Sequence, residues 1–145
     1  MIWMRVLGVD VGARRVGLAI SDATQTLARP LTTLTVKGRG DAVARVVIEI
    51  ERLGAEEDGL AAIVVGRPLK LDGSPSEQTS RVAAFVEALA ARTSLPIARM
   101  DERLTSREAE SRLALRERDW RRRKARLDAA AAAVILQDYL DREGR

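Results

Sequence analysis

Residues 6–22 of the chain read VLGVDVGARRVGLAISD, and this stretch decides the fold. Its first four residues are mostly β-branched or aliphatic, and residues 16–20 alternate as an antiparallel partner strand would. Gly12 and Gly17 suit the tight turn between two strands and the close approach of another backbone. Asp10 is thereby predicted at the end of a central strand, where its charge needs compensation that a divalent metal commonly supplies. The alternative is that Asp10 merely begins a turn.

The composition limits the chemistry that the chain can perform. Its 145 residues include no cysteine and no histidine, which excludes disulfides, thiolate or histidine metal sites and histidine-dependent catalytic triads. Catalysis would have to rest on carboxylates, Lys or Arg, and a metal held by carboxylates would be a hard cation, Mg²⁺ or Mn²⁺. We expect one domain over residues 1–145 and a cytoplasmic location, because no apolar stretch suits a membrane span and the N-terminus does not resemble a signal peptide.

Positive charge is concentrated in one segment. The net charge is +4, and residues 99–126 alone hold eleven basic and six acidic side chains. Only three of the 25 basic residues are lysines, and arginine enrichment fits either phosphate recognition or a GC-rich genome. The stretch Arg116–Arg126 is predicted to be a basic loop, which is either a solvated surface or an electrostatic contact for phosphates.

The spacing of apolar residues predicts the element order βββαβαβαα. Pro30 places the third strand at a sheet edge, and Ser74 is predicted to cap the second helix, with Pro75 at its first position and Glu77 completing a capping box. The fold class is α/β: a mixed five-stranded sheet with its first three strands antiparallel and helices on both faces. The predicted strands are at about 4–10, 15–22, within 26–36, 60–65 and 95–100, and the helices are at about 40–54, from 74, 105–115 and 127–141.

Two further carboxylates lie where predicted elements meet. The last strand is followed by Asp101, Glu102 and Arg103, and only some of these side chains can point at the same site; the alternative is that Glu102 and Arg103 form a surface pair. Asp128 is predicted in the first turn of a helix, where the alternative role is to complement the helix dipole. The alanine run 129–133 would let this helix pack closely on the sheet and bring Asp128 toward the strand ends. Three converging acids are the arrangement that two-metal phosphoryl transfer requires.

Four stretches of the chain carry a resemblance to a known family: GVDVGARRVGLAISD at 8–22, VVGRPL at 64–69 with DGSPSEQ at 72–78, DERLTS at 101–106, and LDAAAAAVILQDYL at 127–140. Together they resemble the YqgF (RuvX) family of the ribonuclease H-like superfamily over about residues 4–141. The resemblance implies a ribonuclease H-like nuclease domain with a metal-dependent phosphodiesterase site. The acids of the family, which would hold Mg²⁺ or Mn²⁺, fall on Asp10, Glu102 and Asp128.

The resemblance also implies a substrate. Members of the family are described as nucleases that mature the 5′ end of pre-16S rRNA in ribosome biogenesis and as Holliday junction resolvases. We expect the first activity; the alternatives are a resolvase-like DNA endonuclease and a non-catalytic nucleic-acid-binding module. An actin-like or sugar-kinase ATPase is disfavoured, because 145 residues supply only one of the two domains that such a fold needs.

The predicted partners are a structured RNA precursor or branched DNA, with no membrane and a possible homodimer. Trp120 either stacks on an unpaired base or packs against its own domain. The residues predicted to contact nucleic acid are all basic, and they are Arg14, Arg15, Arg67, Arg103, Arg121, Arg122, Arg123, Lys124 and Arg126.

Overall fold

The computed structural model of the chain describes residues 3–101 and 120–143. One sheet of five strands has the order β3-β2-β1-β4-β5. β1, β2 and β3 are antiparallel neighbours, whereas β4 runs parallel to β1 and β5 parallel to β4. The elements are β1 (Arg5–Val11), β2 (Arg15–Ser21), β3 (Ala28–Thr35), α1 (Arg39–Gly54), β4 (Leu60–Arg67), α2 (Glu77–Ala90), β5 (Ile97–Asp101) and α3 (Trp120–Glu143).

Each face of the sheet carries its own core. Leu7 and Val9 of β1 pack in the larger core with residues of α1 and α2, such as Phe85. Val6 packs in the smaller core with residues of α3, such as Ile135. Because successive side chains of a strand point to opposite faces, helices cover both faces, as predicted. Asp10 has the same parity as Val6 and therefore lies on the α3 face.

The pattern of apolar residues accounts for the central position of β1 and β4. Both strands are near-continuous runs of buried residues, which is typical of strands covered on both faces. β3 lies at the sheet edge, as Pro30 predicts, and its pairing with β2 is irregular between Leu18 and Ala19.

The start of α2 differs from its prediction. The N-cap is Ser76 and not Ser74: Ser76 Oγ accepts from the Thr79 backbone N–H, and the Thr79 hydroxyl accepts from the Ser76 N–H. Thr79 also donates a hydrogen bond to the Pro68 carbonyl. These bonds tie the start of α2 to the loop after β4, and Pro75 forms an isolated bridge with Leu69 in that loop instead of opening the helix.

The last helix also differs from its prediction. α3 begins at Trp120, so residues 120–126 of the predicted basic loop are helical. Their side chains are Arg, Lys, Ala and Trp, which all tolerate a helix, and the sequence reasoning took their charge as a sign of a loop. The helix predicted at 105–115 lies outside the described residues. Among the described helices, none combines the length and the apolar character that a membrane span needs.

Candidate active site

The carboxyl ends of β1, β4 and β5 lie at one edge of the sheet, which we call the carboxyl edge. Asp10 is the penultimate residue of β1 and is half-buried. Its cross-strand partner is Gly17 of β2, and the preceding Val9 pairs with Val65 of β4. Asp10 therefore lies at the end of the central strand, as the sequence predicts, and on the face that α3 covers.

Gly17 is the point at which α3 meets the sheet. A Cβ atom added at Gly17 would lie 1.9 Å from the Asp128 carbonyl oxygen and 2.9 Å from the Ala129 nitrogen. The contact is thus between two backbones and is open only to glycine. Since Gly17 pairs with Asp10, the same contact brings Asp128 next to the strand pair that carries Asp10.

A second glycine continues the contact one turn further along α3. A Cβ atom added at Gly8 would lie 2.8 Å from the Leu136 Cβ and 3.0 Å from the Ala132 carbonyl oxygen. At the far end of the helix, the Gln137 side chain accepts from the Ala28 N–H and donates to the Thr26 carbonyl, both at 2.9 Å. The alanine run therefore allows the close packing that the sequence predicts, and α3 is held against the sheet from Asp128 to Gln137.

Arg15 pairs with the acid of α3. Its Nε lies 3.5 Å from Asp128 Oδ2, and the two side chains are 29% and 25% exposed. The Asp128 Oδ2 atom is itself buried, so the guanidinium supplies positive charge where solvent does not reach. Arg15 has the same parity as Gly17 on β2, so it approaches from the α3 face.

Asp128 does not lie in the first turn of its helix. It follows Trp120 by eight residues, in the third turn of α3. The field of a helix terminus falls off within about one turn. The alternative in which Asp128 only complements the helix dipole is therefore wrong, because the helix begins earlier than the sequence predicts.

Of the other predicted site residues, Arg14 and Arg67 lie near the carboxyl edge. Arg14 is exposed in the turn between β1 and β2, and Arg67 is exposed at the end of β4. By strand alternation, Arg67 lies on the face of the sheet that α1 and α2 cover. In the parallel register of β4 and β5, the backbone of Arg67 lies opposite that of Asp101. Glu102 and Arg103 lie outside the described residues. The remaining five, Arg121, Arg122, Arg123, Lys124 and Arg126, are in the turns of α3 that precede Asp128.

Two of the three predicted metal ligands are thus on one face of one sheet edge. Asp10 and Asp128 offer hard carboxylate oxygens, which suit Mg²⁺ or Mn²⁺. Within residues 3–101 and 120–143, no group of three acidic, His or Cys side chains is placed to hold a metal, and the predicted third ligand, Glu102, is not in those ranges. The donors present fit a hard divalent cation.

Two features of the site escaped the sequence reasoning. It assigned a close backbone approach to Gly17 without identifying Asp128 as the partner, and it made no use of Gly8. Arg15 was predicted to contact nucleic acid, and its ion pair with Asp128 was not predicted. A usable signal was available, because Gly8 and Gly17 are strand glycines beside a helix that is rich in alanine.

Comparison with known proteins places this chain in a family. The family model described as "RuvX: Holliday junction resolvase" matches residues 4–142. The chain belongs to the RuvX family. Relatives in this family include proteins named "Putative pre-16S rRNA nuclease". The protein from Chloroflexus aggregans is 43% identical, covering 94% of this chain and 92% of that protein, and the one from Anaeromyxobacter sp. is 41% identical, covering 95% and 97%. The chain is thus a member of a family of nucleases, which hydrolyse phosphodiester bonds.

Solved structures show the same fold at low sequence identity. Thermus thermophilus RuvC superposes with a TM-score of 0.53 at 18% identity, with 97% of each chain covered. The yeast mitochondrial Holliday junction resolvase Ydc2 has a TM-score of 0.51 at 15% identity, covering 95% of this chain and 78% of that one. The RuvX chain therefore has the ribonuclease H-like fold that the resemblance implies.

Proposed function

We propose that this RuvX protein is a nuclease that depends on Mg²⁺ or Mn²⁺ and processes the 5′ end of pre-16S rRNA. The observation that carries the proposal is the backbone contact at Gly17, which brings the acid of α3 to the strand pair that holds Asp10. The names of the relatives support the substrate. This function predicts a protein of the cytoplasm, where ribosomes are assembled.

The proposed ligands of the metal are Asp10, Glu102 and Asp128. When bound, a divalent cation polarises the phosphate and lowers the pKa of the attacking water. Asp10 and Asp128 contribute negative oxygens from a strand and a helix that are in direct contact, so their separation is fixed by the fold. Such fixed placement removes much of the entropic cost of assembling a reactive geometry.

Arg15 is proposed to position Asp128. Two neighbouring carboxylates repel each other, and a cation beside one of them offsets that repulsion. The Arg15 guanidinium, 3.5 Å from Asp128 Oδ2, orients the carboxylate before the metal arrives. Arg15 thus acts through Asp128 and not on the phosphate, while Arg14 and Arg67 remain the proposed phosphate contacts at the carboxyl edge.

The basic turns of α3 are proposed to hold the substrate backbone. At about 1.5 Å per residue along a helix, the Cα atoms from Arg121 to Arg126 precede that of Asp128 by about 3 to 11 Å along the axis. Charged contacts to phosphate carry no sequence information. Selection among substrates would therefore depend on their shape, and Trp120, at the start of α3, is the residue proposed to stack on an unpaired base.

The test is cleavage by the purified protein, with Mn²⁺ or with chelator, of a precursor rRNA that carries its 5′ leader. Asp10→Asn and Asp128→Asn are expected to abolish metal-dependent cleavage while leaving the fold intact. Asp138→Asn is the matched control, because Asp138 lies on the same helix in an exposed ion pair with Arg142. Cleavage that persists in Asp10→Asn would overturn the proposed site.

A second candidate function is resolution of branched DNA, which the description of the family model favours. A mobile four-way DNA junction, tested beside the RNA under the same conditions, separates the two functions. Preference for the junction would identify a resolvase, for which a homodimer with two sites related by a twofold axis is expected. Binding without cleavage of either substrate, unchanged by Asp10→Asn, would identify a non-catalytic binding module.

A further inference from the structure

A cavity lies on the opposite face of the sheet from Asp10, between β1, the start of α1 and the second and third turns of α2. Its volume is about 270 Å³. Its walls are apolar and come from Val11, Val36, Ala42 and Phe85, which all belong to the larger core. The lower end of the size range for small-molecule sites is about 300 Å³, so the cavity accommodates one small ring system and not a larger ligand.

Two arginines lie at the rim of this cavity. Arg39 opens α1, Arg81 lies on α2, and both are exposed. Neither side chain has an ion pair or hydrogen bond within the part of the chain that the structure describes. By contrast, Arg5 and Arg52 are both paired with Glu56. The rim therefore presents two guanidinium groups that are available to an anion, above an apolar interior.

The cavity begins where the candidate active site ends. Gly12 and Ala13, which follow Asp10 and Val11 along the chain, contribute to its lining. The Gly12 N–H donates to the Arg15 carbonyl across the turn, so the same short turn connects the cavity with the residue that pairs with Asp128. A strand of nucleic acid that crosses the carboxyl edge at Asp10 would reach this cavity on the other side.

We propose that the cavity binds the base of one unpaired nucleotide of the substrate strand, with the adjoining phosphates on Arg39 and Arg81. An apolar cavity of this size and two free guanidinium groups match the two parts of a nucleotide, a flat ring and an anion. The proposal deepens the proposed nuclease function, since the occupant is part of the same strand. It adds a requirement for the substrate: a nucleotide near the cleaved bond must be unpaired to enter.

The test measures binding and does not need cleavage. Fluorescence polarisation, with chelator present, measures the Kd of an eight-nucleotide single-stranded RNA. The same measurement is made on eight variants of this RNA, each of which lacks the base at one position. Wild-type protein is expected to lose about tenfold in affinity at one position of the set and little at the others, because one base contact is lost. R39A/R81A is expected to raise the Kd of the intact RNA about tenfold at low salt.

A cavity-filling variant, A42L, tests the base contact itself. It is expected to bind the intact RNA more weakly and to show no position-dependent loss across the set. Arg92→Ala is the matched control for R39A/R81A, because Arg92 is exposed just beyond the other end of α2. Its replacement should leave the Kd of the RNA unchanged. If the thermal melt of A42L shows that this variant is unfolded, the Kd of R39A/R81A is the deciding measurement. Both arginines are exposed, so their replacement should leave the fold intact.

The outcomes separate this proposal from the proposed function. A wild-type protein without a position-dependent loss, an A42L variant that keeps this loss, or an R39A/R81A variant that keeps the wild-type Kd, overturns the cavity proposal even if the protein cleaves RNA. A position-dependent loss that disappears in A42L, together with a raised Kd in R39A/R81A, supports it even if no cleavage is seen. Adenosine monophosphate and unlabelled RNA are also compared as competitors of the labelled RNA. If adenosine monophosphate competes at the lower concentration, the cavity binds a free nucleotide and the proposal is overturned.

Discussion

Replacement of Gly17 by alanine perturbs the candidate site without touching a charged group. The new Cβ would lie 1.9 Å from the Asp128 carbonyl oxygen, whereas ordinary contacts begin at 3.4 Å. The atoms that clash belong to the backbones of β2 and α3, which cannot rotate away as a long side chain would. Helix α3 would therefore have to retreat from the sheet by about 1.5 Å, and it would take Asp128 with it.

The expected cost to stability is that of an overpacked core, about 1–3 kcal/mol. The expected cost to activity is larger in relative terms, since a misplacement of about 1 Å at a reacting centre can lower the rate about 100-fold. G17A should accordingly fold, with a reduced Tm, and cleave precursor rRNA at least about 100 times more slowly than wild type. Its thermal stabilisation by Mn²⁺ should be weakened in parallel.

Two other glycine replacements are the controls. Gly54→Ala adds a Cβ with no atom within 4 Å, so it should leave both Tm and activity near wild type. Gly8→Ala clashes with α3 one to two turns beyond Asp128, at 3.0 Å from the Ala132 carbonyl oxygen and 2.8 Å from the Leu136 Cβ, and it should cost stability with a smaller loss of activity. A G17A protein with wild-type turnover would refute the inference that this contact sets the position of Asp128.

Three further changes have expected outcomes. Arg15→Ala removes the cation beside the buried Asp128 Oδ2 atom, so urea denaturation should show a loss of about 1–3 kcal/mol, whereas Arg15→Lys should keep more of the activity than Arg15→Ala does. Asp41→Asn should lower the free energy of unfolding at pH 7. The pKa of Asp41 lies below its ordinary value of 3.8, chiefly because the Lys37 N–H donates to its carboxylate, so this difference should fade as the pH falls below about 3.8; a constant difference down to pH 2 would contradict that cause. Ser76→Ala should cost about 0.5–2 kcal/mol as the loss of an N-cap, whereas Ser80→Ala, at an exposed helix position, should change stability by less than about 0.5 kcal/mol.

The sequence predicts the sheet well because its signals there are local and strong. The β1–β2 hairpin, the edge position of β3 and the central position of β4 follow from alternation, from Pro30 and from a continuous apolar run. The placement of Asp10 at the end of a central strand follows with them. These features depend on residues within a few positions of each other, so no knowledge of distant contacts is needed.

The helix starts and the contacts of the site are less predictable. Ser74 and Ser76 both satisfy the local rules for an N-cap, and the hydrogen bonds of Thr79 with Ser76 and with the Pro68 carbonyl decide between them. The start of α3 is hidden because arginine and lysine suit a helix as well as a solvated loop. The contact between Gly17 and Asp128 joins residues more than one hundred positions apart, and only the folded backbone shows that it exists.

The edge strand β3 has a consequence for self-association. A free edge can pair with the edge of another molecule and extend the sheet, which leads to dimers or to aggregates. In β3, Pro30 has no N–H to donate, and the pairing with β2 is irregular at its partner Ala19. An intermolecular sheet that continues across β3 is therefore disfavoured, and a twofold assembly of this chain would use a surface other than the β3 edge.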